Sequence, residues 1–183
     1  AVYAADLEDP ALVGRRAGER TVRKLGPRKA KTAQVPILFE PRMARSLIGH
    51  LLGAITGPSV ARGTSFLKDR LGQRIFAPGI ADPHRTRGMR SKPFDGEGLA
   101  NGRTDIIQDG VLTTWLLDLA SARQLGLSST GHAGRGTGGP PSPTSSNTHL
   151  AAGTMTPQQL MADIEQGFYV TEMMGHGANM VTG

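Results

Sequence analysis

TDIIQDGVLTTWLLDLASARQLG, residues 104–126, holds strand and helix instructions side by side. Its first half alternates apolar and polar positions on both sides of Asp109-Gly110. That dipeptide supplies the left-handed backbone a two-residue β-hairpin needs. Asp118 then stands where a helix N-cap belongs, and LASARQL runs on to Gly126, a helix stop. A hairpin feeding directly into a capped helix predicts an α+β domain.

The same logic extends outward. Asp9 and Pro10 open a helix whose stripe is Leu12, Val13, Ala17, Val22 and Leu25, ended by Gly26-Pro27. VPILF, residues 35–39, is a short apolar run bounded by turn residues and is expected to be a buried strand. Met43, Leu47, Ile48, Leu51, Leu52 and Ile55 recur at helical spacing after Pro41, with Gly57-Pro58 as the expected close. His50 falls beside that stripe. Thr156-Pro157 caps a further helix expected to run to Gly167, and FYV at 168–170 reads as a strand. FDGEG, residues 94–98, is turn chemistry, with Asp95 and Glu97 expected in solvent.

Composition bounds the function. The 183 residues hold 38% hydrophobic but only 4% aromatic side chains, 25 glycines and 12 prolines. Such a chain suits one or two domains with an aliphatic core and many turns. Net charge is +6. The cations crowd between Arg15 and Lys31, without interleaved aromatics to stack bases, which speaks against nucleic acid. Cysteine is absent, so neither disulfides nor thiolate metal sites exist in this chain. No apolar run approaches the ~20 residues of a membrane span, so no membrane partner is expected.

Hydrolytic motifs are missing too. A zinc-peptidase helix carries two histidines on adjacent turns and a glutamate beside the first. RSLIGHLLGAITG, residues 45–57, has a single His and no Glu. His84, His132, His149 and His176 lie in separate loops and could form a site only by tertiary convergence. GHAGRGTGGPPSP, residues 131–143, lacks the Gly-Lys-Ser/Thr ending of a phosphate loop. Its glycines suit either a flexible linker or a contact loop, and His132, Arg135 and Asn147 favour contact with a peptide or partner.

Several ordered segments resemble the C-terminal domain of the TldD/PmbA family. They are SLIGHLLGAITGPSVARGTSFLKDRLGQRIFAPGI, RGMRSKPFDGEG, DGVLTTWLLDLASARQLGL, TGHAGRGTGGPPSPTSSN and MMGHGANMVTG. The likeness spans nearly the whole chain and is strongest to the PmbA branch, also called TldE. It implies one C-terminal domain over residues 1–183, with a preceding α/β domain and further strands lying outside this sequence. The fold expected is α+β, mainly antiparallel, with a curved or barrel-like sheet and flanking helices.

Functionally, the resemblance implies a cytoplasmic protein of a family once named as modulators of DNA gyrase. Its members form a two-subunit zinc peptidase that processes small or unfolded peptides. The TldD branch carries His-Glu-x-x-x-His on a helix and a later cysteine ligand. Anchored on the shared Gly63-Thr64-Ser65, those motif positions fall on Ile48, Gly49 and Gly53. Neither hydrocarbon nor bare backbone binds zinc or activates its water.

This chain is therefore expected to be the non-catalytic subunit, with no cofactor of its own and zinc only in a TldD-like partner. Its expected partners are that subunit and a peptide, or a second copy when alone. His132, Arg135, Asn147 and His176 are the candidate contacts, with no catalytic residue. The rival readings are a self-sufficient metallopeptidase built from the loop histidines and a DNA- or gyrase-associated module. One departure from the family is the short GIADP stretch between Gly79 and Asp82, read as a deletion or an omission.

Overall fold

The computed structural model describes residues 4–80 and 88–183. His84 and the residues after Ile80 in GIADP lie outside the described residues. The chain divides into two compact units, Ala1–Val35 and Pro36–Gly183.

The first unit is a short 3-10 turn followed by α1, Pro10–Val22. The Asp9 side chain accepts a hydrogen bond from the Ala11 N–H (2.9 Å), as an N-cap should. The helix ends at Val22, earlier than its apolar stripe, and the chain tightens through Lys24 N–H to Thr21 O and Leu25 N–H to Val22 O. Gly26 then takes φ +63. No α1 residue is buried within the unit.

The second unit mixes β1 (Ile37–Phe39), α2 (Pro41–Ala54), α3 (Gly57–Ala61), β2 (Ile107–Gln108), β3 (Val111–Leu112), α4 (Leu119–Leu125), β4 (Ala133–Gly134), β5 (Ser142–Pro143), α5 (Pro157–Ala162) and β6 (Phe168–Val170). Its strands make three separate pairs: β1–β6 parallel, β2–β3 and β4–β5 antiparallel. The mixture of helices and small sheets holds, but the mainly antiparallel curved sheet expected is not found among the described residues. No closed barrel forms among the described residues. Strands of two or three residues, interrupted by glycine and proline, cannot propagate a ladder far enough to close.

Local rules explain most elements. Asp109 and Gly110 both take positive φ, +48 and +79, the mirror-image turn that a tight hairpin requires. Asp118 accepts from the Ser121 N–H (2.7 Å) while Ser121 Oγ accepts from the Asp118 N–H (3.3 Å), a complete capping box on α4. Gly126 closes that helix at φ +66.

Three expectations shift. Gly57-Pro58 does not end a helix but begins α3, with Thr56 as its N-cap and Pro in the first turn. β1 is a strand but not a buried one, because its described pairing is with β6 alone and Ile37 is 51% exposed. α5 stops at Ala162 instead of Gly167. The chain must turn early there to bring the Phe168 N–H to Pro36 O (3.0 Å), and a side chain at Gly167 would meet that oxygen at 2.8 Å.

The core gathers Ile55, Val60, Leu67, Ile106, Leu112, Trp115, Leu116 and their neighbours. Two details fix α2 against it. Gly57 N–H donates to Leu116 O (2.8 Å) and Leu116 N–H to Ile55 O (2.9 Å), which draws α3 so close to α4 that only a hydrogen fits at Gly57. Buried Ser65 donates from its hydroxyl to Ala54 O (2.6 Å) and accepts from the Leu67 N–H (3.0 Å), satisfying the C-terminal end of α2. Gly63, at φ +69, makes the turn that delivers it.

Candidate functional site

Helix α2 is the natural place to begin, because it carries the positions that a zinc motif would occupy. Ile48 is half-buried and Gly49 exposed. A side chain built at Gly49 would meet nothing within 4 Å; one at Gly53 would touch Met180 Cε at 3.5 Å, an ordinary contact. Packing within the described unit therefore demands neither glycine. The three positions do not fit a zinc ion: one offers a hydrocarbon, the second opens to solvent without a donor, and the third faces a thioether's methyl group.

The chain after β6 returns to this helix. Glu40 N–H donates to Val170 O (2.9 Å), and the Arg42 guanidinium donates to Thr171 O (3.1 Å), so the start of α2 grips the exit of β6. Further on, Phe66 N–H donates to Met180 O (2.8 Å). Between these anchors lies His176, an exposed candidate residue, whose ring meets that of His50 edge-on with centroids 5.6 Å apart. The fold thus joins His176 to a histidine outside the candidate set. Sequence spacing gives no hint of it, since 126 positions separate the two.

A second cluster organises the glycine-rich segment. Residues 131–143, read as either linker or contact loop, form the β4–β5 hairpin, with Thr144 N–H donating to His132 O (2.7 Å). Asp95 secures it. Contrary to a solvated turn, Asp95 is only 4% exposed. One carboxylate oxygen accepts from Glu97 N–H and Leu99 N–H (both 2.9 Å), and the other from Ala133 N–H (3.0 Å). Burial pushes this carboxyl up. The three backbone donors, helped by Lys92, outweigh burial and hold it below its ordinary value. Glu97 is likewise engaged, accepting from the Leu119 N–H (2.8 Å) at the start of α4.

The remaining candidates separate by role. His132 pairs Nδ1 with Thr130 Oγ1 (2.9 Å), and that hydroxyl also accepts from the Leu117 N–H (2.8 Å). Arg135 is exposed immediately after β4. Asn147 is committed internally: its oxygen accepts from Arg90 N–H (2.9 Å) and its amide donates to Ser91 Oγ (2.7 Å). His149 buries an Nδ1 without a hydrogen-bond partner. No cluster of three or more His, Cys, Asp or Glu side chains suited to a metal ion occurs among the described residues.

Comparison with known proteins places this architecture. The sequence profile of the PmbA/TldA metallopeptidase C-terminal domain matches residues 32–183. The chain belongs to the PmbA/TldD metallopeptidase family. It is 42% identical over 182 residues to the Metalloprotease PmbA of Escherichia coli O157:H7, covering 98% of this chain and 38% of that protein. A crystal structure from Bacteroides thetaiotaomicron, of a protein named as a proposed modulator of DNA gyrase, superimposes with a TM-score of 0.85. It is 28% identical and covers 99% of this chain and 39% of that one.

TldE from Thermococcus kodakarensis shares the fold at a TM-score of 0.74 and 23% identity, covering 86% of this chain and 38% of that one. The chain therefore spans about two-fifths of the length of these relatives. No helix of the described residues is long and apolar enough to cross a membrane.

Proposed function

We propose that this chain belongs to the non-catalytic subunit of a two-subunit, cytoplasmic metallopeptidase whose zinc resides in a TldD-like partner. The observation that carries this reading is the donor-free face of α2. Ile48, Gly49 and Gly53 stand where the resemblance puts a zinc-binding, water-activating trio, and none has a side-chain N, O or S atom.

Family membership supports a role in peptide metabolism, and what this subunit supplies is surface. β1 and β6 form a two-stranded parallel ladder with Ile37 51% and Tyr169 46% exposed. Parallel strands are ordinarily covered on both faces, so this pair suits extension by further strands of the full-length protein into a curved sheet, or by an extended peptide. Arg135, just after β4, with His132 and His176, contacts peptide or partner, while Asn147 holds the 88–91 turn. A second copy of the chain takes the partner's place only when no TldD-like subunit is present.

The test is co-purification of the full-length protein with a TldD-like subunit from the same cell, with zinc and peptidase activity measured on each component. A complex with zinc assigned to the partner, and activity only when both are present, is expected. A homodimer that ignores the partner and cleaves peptides with its own zinc would overturn the reading.

A further inference from the structure

Helix α1 has little of its own to keep it folded. It runs for 13 residues, a length at which an isolated helix is only marginal in water even when rich in alanine. Gly14 and Gly18 weaken its interior further. The Asp9 cap and the exposed Arg16–Glu8 ion pair offset only part of that. Such a helix depends on the packing of one face, yet none of its residues is buried.

The sequence shows which face that is. At about 100° per residue, the charged residues Arg15, Arg16, Glu19 and Arg20 all fall on one half of the helix. Ala11, Gly14, Ala17, Gly18, Thr21 and Val22 fall on the other. Gly14 and Gly18 stand one turn apart on that uncharged half. Neither takes a positive φ, and a side chain built on either would meet nothing within 4 Å. Neither local backbone geometry nor packing among the described residues demands them. Glycine and alanine bury little area against lipid, but they let a second backbone come close.

The position of the domain boundary indicates whose backbone that is. The profile of the C-terminal domain begins at residue 32, and the chain divides into its compact units after Val35. Both boundaries leave α1 outside. The match to the Escherichia coli protein nevertheless covers 98% of this chain, α1 included, and only 38% of that longer protein. α1 is therefore shared with a longer relative without belonging to the C-terminal domain.

We propose that the uncharged half of α1 packs against the part of the full-length chain that precedes residue 1. α1 then completes the preceding domain, its charged half faces solvent, and residues 23–35 connect it to the C-terminal domain. The proposal is independent of the subunit reading.

The test is hydrogen exchange followed by mass spectrometry on the full-length protein. In wild type the α1 amides should be protected at every protein concentration and without any TldD-like subunit. Gly18→Leu raises helix propensity but forces a large side chain into the close contact. It should speed exchange at least about fivefold, both in α1 and in the segment before residue 1, with the β2–β3 hairpin unchanged. A purely local role for Gly18 would instead slow exchange in α1. Glu19→Gln, in the middle of the charged half, should leave both segments as in wild type. If Gly18→Leu does not fold, the wild-type measurement remains decisive. Free exchange of α1, protection that grows with protein concentration, or protection that appears only with the TldD-like subunit would each overturn the proposal. So would a Gly18→Leu variant that loosens only residues 36–183, or nothing.

Discussion

Replacing Asp95 with Asn changes one atom of the junction that fastens the glycine-rich hairpin to the 94–100 turn. The carboxylate serves three backbone donors with its two oxygens, at 2.9, 2.9 and 3.0 Å. An amide has a single oxygen. Facing Glu97 and Leu99 with that oxygen turns its NH2 toward the Ala133 N–H, and Ala133 is fully buried. At least one of the three N–H groups then loses its acceptor whichever way the amide is turned.

Hydrogen bonds to charged groups contribute about 1.5–3 kcal/mol, which corresponds to a roughly ten- to 150-fold loss of protection against hydrogen exchange at residues 131–135. Exchange followed by mass spectrometry on the full-length protein reads that loss, with the β1–β6 pair as an internal control. The effect also depends on pH. Because Asp95 has a folded-state pKa below its ordinary value, its stabilisation is present above the unfolded pKa, about 3.9. It disappears as pH falls from there through the lower folded value, so wild type and variant converge in acid. Unchanged protection at residues 131–135 in D95N at neutral pH would refute this account of the junction.

Gly57→Ala places a methyl 2.1 Å from Ser121 Oγ and 2.8 Å from Leu117 Cδ2, so it must disturb the α4 capping box. A loss of about 1–3 kcal/mol in thermal or urea unfolding is expected. Ser65→Ala strands two buried backbone groups, Ala54 O and Leu67 N–H, and should cost about 1–3 kcal/mol in the same assay. Asn147→Ala releases the Arg90 N–H and Ser91 Oγ, and the 88–91 amides should exchange about tenfold faster with the β2–β3 hairpin unaffected.

Elements specified by their own few residues could be read from sequence. Asp109-Gly110, Asp118 with Ser121, and Thr156 with Gln159 each contain the whole hydrogen-bond pattern they enforce. Gly57-Pro58 misleads because proline forbids the interior of a helix but suits its first turn, so one dipeptide signals both an end and a beginning. Asp95 looks like a turn residue because two of its three donors are local. The third, Ala133, is 38 positions away, and that bond makes the carboxylate a buried hub. His50 reads as lying beside the α2 stripe, and its encounter with His176 depends on the path of the chain after β6. Ser65 shows why a family anchor can be structural: its hydroxyl finishes the helix that bears the motif positions.

Gly49 offers a final discrimination. Glycine inside a helix costs about 0.5–1 kcal/mol relative to alanine, a cost usually offset where a neighbour packs against the bare backbone. Here nothing in the described structure lies within 4 Å of the missing side chain, and the position is exposed. Gly49→Ala should therefore stabilise the uncomplexed full-length protein by about 0.5–1 kcal/mol. If α2 lines the surface shared with the partner or a peptide, the added methyl intrudes on a close approach. The same variant should then weaken assembly with the TldD-like subunit or raise the KM for peptide by severalfold. Thermal melts of the free protein and titration calorimetry with the partner measure the two effects separately. Stabilisation with association and peptide kinetics both unchanged would show that this face of α2 meets neither.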